Sequence, residues 1–73
     1  MKTQEIVKEL YLLRDYLISK ATLAVSLANI YESNNDEPAQ RYAEGSLGSY
    51  DDAKKSVDTL IMKIEAKAMK NGR

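Results

Sequence analysis

The sequence predicts an all-α fold: an antiparallel two-helix hairpin that associates into a helical bundle. Three observations carry this reading. Apolar residues recur every three or four positions over two long stretches. One break, Ser33-Asn34-Asn35-Asp36-Glu37-Pro38, separates them. The chain has only 73 residues, with no Cys and no His, so neither a disulfide nor an ordinary structural zinc site can staple it. Association with further copies is the remaining remedy for so small a core. The whole chain, 1–73, reads as one helical hairpin domain.

Helix 1 is expected over about residues 4–33. Its main stripe is Ile6, Leu10, Leu13, Leu17, Ala24, Leu27 and Tyr31, a heptad-like seam interrupted at Lys20. The apolar surface is wider than that seam. Val7, Tyr11, Ile18, Ala21, Val25 and Ala28 widen one flank, and Leu12, Tyr16, Leu23 and Ile30 the other. The strip left over is polar but weakly charged in its second half: Ser19, Thr22, Ser26, Asn29, Ser33. Such a strip is either a mildly polar surface or a place where other protein comes close.

The turn is expected at 34–37. Adjacent Asn residues favour a turn, and Asn35 or Asp36 can cap the following helix. Pro38 fits a first helical turn, where its missing N–H is no loss.

Helix 2 is expected over about 38–70, with the stripe Ala39, Ala43, Leu47, Tyr50, Val57, Leu60, Ile61, Ile64 and Ala68. The phase holds across Gly45 and Gly48, which favours a continuous helix over one broken near 45–49. In a hairpin folded at 34–37, paired positions carry numbers summing to about 71. That register sets Gly45 and Gly48 against Ala24 and Ala28, as if for close approach. It also sets Arg14 against Asp58, and Lys20 against Asp51 and Asp52. The basic C-terminal turn, Lys67 to Lys70, with Gly72 as a stop, is ordinary helix-end chemistry.

Composition narrows the function. There are 11 basic and 11 acidic residues, a formal net charge of zero. Nucleic-acid binding normally rests on an excess of Lys and Arg, so a nucleic-acid partner is disfavoured. Without His or Cys, no Ser gains the usual activating base, and Asp51-Asp52 and Asp36-Glu37 point apart as helix neighbours. The expectation is therefore no enzyme, no catalytic residue, no cofactor and no metal. Glu9, Arg14 and Asp15 interrupt any secretory core near the N-terminus, and no uncharged apolar run is long enough to span a membrane. A cytoplasmic location is expected.

The expected function is that of a small protein–protein interaction protein, a regulator or inhibitor acting as a homodimer or higher homo-oligomer. A four-helix bundle of two hairpins is the simplest such assembly. Its oligomer and core positions are Leu10, Leu13, Leu17, Ala24, Leu27 and Tyr31 on helix 1, and Leu47, Tyr50, Val57, Leu60, Ile61 and Ile64 on helix 2. Five Tyr with no Phe or Trp is a skewed aromatic set, suited to positions with one wet end. The candidate partner or ligand surface is Tyr11, Leu12, Tyr16, Lys20, Leu23, Tyr42 and Tyr50. The alternative is a nucleotide-like anionic small ligand held between protomers by Tyr with Lys20 or Arg14. A third reading is an RNA-binding bundle, for which Lys54, Lys55, Lys63, Lys67 and Lys70 form the one candidate stripe.

Overall fold

The computed structural model describes residues 2–71, so the expected stop at Gly72 lies outside it. Two helices form among these residues, α1 at Thr3–Ser33 and α2 at Glu37–Asn71, packed along their length as an antiparallel hairpin. Both ends lie within a residue or so of the sequence expectation. The hairpin is a rod of 58 × 15 × 14 Å. Its radius of gyration is 16.7 Å, against about 11 Å for a compact domain of this length.

The connection is three residues long and every one has a task. The Asn35 N–H donates to the Glu32 carbonyl at 3.1 Å, and the Asp36 N–H donates to the Tyr31 carbonyl at 2.9 Å. This is a Schellman motif, with the last carbonyls of α1 satisfied by the residues just past its end. Asn35 takes the left-handed conformation the motif requires, with φ 57°. Asn tolerates it better than most side chains. Asp36 then turns from terminator to starter: its Oδ1 accepts the Ala39 N–H at 3.3 Å, capping α2. Glu37 adds an acidic group at the positive end of the helix dipole.

The core is thin. Among the described residues, Ala24, Ala43 and Ile61 are the buried ones. Most of the expected stripes, among them Leu10, Leu17, Leu27, Tyr31, Leu47, Tyr50, Val57 and Ile64, are half-buried along the seam. Leu13 and Leu60 differ: each is 45% exposed. They stand at the edge of the seam, where a second helix covers one side of the side chain and nothing within the hairpin covers the other.

Helix 2 runs unbroken through Gly45 to Ser49. The reason expected for its two glycines does not hold. A Cβ placed on Gly45 or Gly48 meets nothing within 4 Å, and both residues are exposed. They share the height of Ala24 and Ala28 but sit on the far side of α2, while Ala43 and Leu47 face the seam. Pairing by residue number fixes height along the rod and leaves the direction around each helix open.

Candidate functional site

The two sides of the α1–α2 seam differ in chemistry. On one side, Arg14 and Asp58 join the helices, with Nε to Oδ1 at 2.6 Å, the pairing the register anticipates. Asp58 also takes Lys54 Nζ at 3.0 Å, and Lys55 Nζ meets Asp51 at 3.0 Å. Nearer the open end, the Tyr11 hydroxyl donates a long hydrogen bond of 3.4 Å to Glu65. Lys54, and after it Arg14, hold the Asp58 carboxyl below its ordinary value against the opposing effect of burial. The hydrogen bond and charge of Asp51 push the Lys55 ammonium up. Ile18, Val25 and Leu47 line a groove beside this ladder. The width of the apolar stripe already indicates them, although their polar neighbours hide them as a site.

Among the described residues the other side carries no such ladder. A groove of ≈ 220 Å³ is lined there by Lys20, Leu23, Leu27, Tyr31, Tyr42 and Tyr50 with Ala24, Ala43 and Ser46 beneath. Tyr31, Tyr42 and Tyr50 therefore line one groove. Tyr42 is 80% exposed and Leu23 52%. Leu12, Leu13, Tyr16, Ile30 and Leu60 are also exposed. At about 100° per residue, Leu12, Leu13, Tyr16 and Ile30 extend the same face of α1 above and below the groove, and Leu60 the matching flank of α2.

Lys20 belongs to this second side, and its expected partners do not. Asp51 lies across the seam, in the groove of Arg14 and Lys54, and is paired with Lys55. Lys20 and Asp51 share a height and face opposite ways. Among the described residues Lys20 makes no ion pair, and its Nζ instead lies 5.4 Å from the centre of the Tyr16 ring, a cation–π contact.

Of the seven partner or ligand candidates, the structure places Tyr16, Lys20, Leu23, Tyr42, Tyr50 and, by helical position, Leu12 on one face. Tyr11 is on the other. The Ser and Thr strip is exposed, and its Ser19, Thr22 and Ser33 hydroxyls donate to the carbonyls four residues earlier. Of the five lysines in the candidate RNA stripe, Lys54 and Lys55 are tied to carboxylates. No group of three or more carboxylates among the described residues is placed to hold a metal ion. No described helix is long and apolar enough to cross a membrane.

Comparison with known proteins returns no matching family, no matching curated protein and no matching solved structure. The residues and their geometry are what bears on function.

Proposed function

We propose that this chain is a small non-enzymatic interaction protein that acts as a homo-oligomeric helical bundle and presents its remaining surface to a regulated protein partner. One observation carries the reading: a row of exposed apolar residues, Leu12, Leu13, Tyr16, Leu23, Ile30, Tyr42 and Leu60, beside a buried core of Ala24, Ala43 and Ile61 among the described residues. The exposed surface is 5725 Å², against about 4,500 Å² for a compact monomer of this mass. The excess, about 1,200 Å², is more than the roughly 800 Å² each partner contributes to a standard stable interface. A second hairpin on the bare face offsets it. Sedimentation from nanomolar to micromolar concentration tests this. A dimer or larger species is expected at micromolar protein, and a stably folded 8.2 kDa monomer there overturns the reading.

A second reading has its own observation. Lys20, unmatched by a carboxylate among the described residues, lies in a groove with three Tyr and Ser46. A planar anion such as a nucleotide base with its phosphate suits that chemistry. Thermal stabilisation by nucleotides that is lost in Lys20→Met supports it, and unchanged melting with millimolar nucleotide removes it.

A further inference from the structure

We infer that a second copy of this chain covers the Leu13–Tyr16–Leu60 face in an antiparallel two-fold arrangement, with Lys20 of each copy against Glu9 of the other. The inference rests on the self-association proposed above and adds the face, the direction and the register.

A copy of the chain is the right size of occupant, since the excess surface exceeds what one side of a stable interface needs. Charge then selects the arrangement. Lys20 is half-buried in the apolar face and pairs with no carboxylate among the described residues. Covering that face removes water from the ammonium, which is costly unless the covering surface brings a carboxylate. A parallel two-fold sets Lys20 beside its own copy, and so does an antiparallel two-fold centred at Lys20. Both bring like charges together in a drying interface.

Glu9 removes the difficulty. Eleven residues separate it from Lys20, close to three full turns, so the two lie within about 20° of one another on the same stripe of α1 and about 16 Å apart along it. Glu9 is exposed and joins no ion pair among the described residues. Glu5, one turn further out, lies about 60° from the Lys20 direction. An antiparallel two-fold midway between positions 9 and 20 sets each Lys20 against the other copy's Glu9, twice over. That midpoint falls between Leu13 and Tyr16 on α1, level with Val57 on α2. Leu13 and Leu60, the two stripe residues that the hairpin leaves exposed, stand beside it. The interface centre is then apolar, with the charges flanking it, the usual distribution for a protein contact.

The chain has no Cys, so single-cysteine variants report the geometry cleanly. Leu13→Cys and Tyr16→Cys, near the axis, are expected to form disulfide-linked dimers on mild oxidation at least tenfold faster than Leu23→Cys, whose two copies stand about 25 Å apart along the rod. Lys20→Glu and Glu9→Lys are each expected to weaken association about tenfold or more, and the double variant to recover most of it. Circular dichroism checks that each variant remains helical. If Leu23→Cys links as fast as Tyr16→Cys, or the double charge swap fails to recover affinity while the parent chain still dimerises, the arrangement is wrong and self-association stands. A monomeric parent chain overturns both.

Discussion

At the scale of single residues, Asp58 joins two cations. It ties α1 to α2 through Arg14 and is steadied on its own helix by Lys54. Its carboxyl titrates below the ordinary 3.8 in the folded chain. A lowered folded-state pKa contributes stability above the unfolded value and loses it as pH falls through the folded value. The parent chain is therefore expected to lose melting temperature on acidification below about pH 4 more steeply than Asp58→Asn, which melts lower at pH 7. Parallel slopes for the two proteins exclude the role given to Asp58. Lys55 works the other way. Its raised pKa contributes stability that is present at neutral pH and lost above the ordinary 10.5. Asn35 carries the turn on backbone geometry alone. Asn35→Gly is expected to leave stability unchanged or raise it by up to about 1 kcal/mol, and Asn35→Val to cost about 1–2 kcal/mol, because a β-branched side chain resists positive φ. Urea unfolding measures both.

At the scale of elements, the two glycines of α2 give the clearest test. Each occupies a helix interior with a negative φ and open space where a Cβ would stand. Gly45→Ala and Gly48→Ala are each expected to stabilise the helix by about 1 kcal/mol. A loss in either, seen in thermal melts at fixed protein concentration, means that something outside the hairpin approaches that strip. The helices, the turn and the Arg14–Asp58 pairing are legible in the sequence because each depends on local signals or on height. Periodicity marks the helices, Asn-Asn-Asp marks the turn, and the hairpin length fixes which positions are level. The placement of Lys20 and of the glycines is not legible in the same way. Two residues at one height can face opposite sides of the seam, and a sequence pattern fixes that direction only once the contact line between the helices is known. Leu13 and Leu60 show the same limit. They carry the stripe's spacing, yet stand at the edge of the contact line, where the partner helix covers only part of each side chain.

At the scale of the whole molecule, two helices in contact form a layer, and a layer has little interior. Ile61 is the one large residue of the three buried ones among the described residues. Ile61→Ala is expected to cost about 2–4 kcal/mol, a large share of the stability available to so small a chain. Its helical circular dichroism at low micromolar concentration should fall well below the parent's. Tyr42→Ala, at a position 80% exposed, should melt within about 4 °C of the parent, since exposed truncations cost about 0.5 kcal/mol or less. If the two variants behave alike, the burial pattern is not what holds the rod together. The unequal sides of the seam have one more consequence, for stoichiometry. An ion-paired ladder occupies one side and the bare apolar surface the other. The proposed two-fold contact uses the groove side of both copies at once, and each then turns outward its ion pairs together with Ile18 and Val25. Under the proposed two-fold contact, sidedness becomes a counting device: the pair turns its ion-paired sides outward, whereas a hairpin alike on both sides would stack without end.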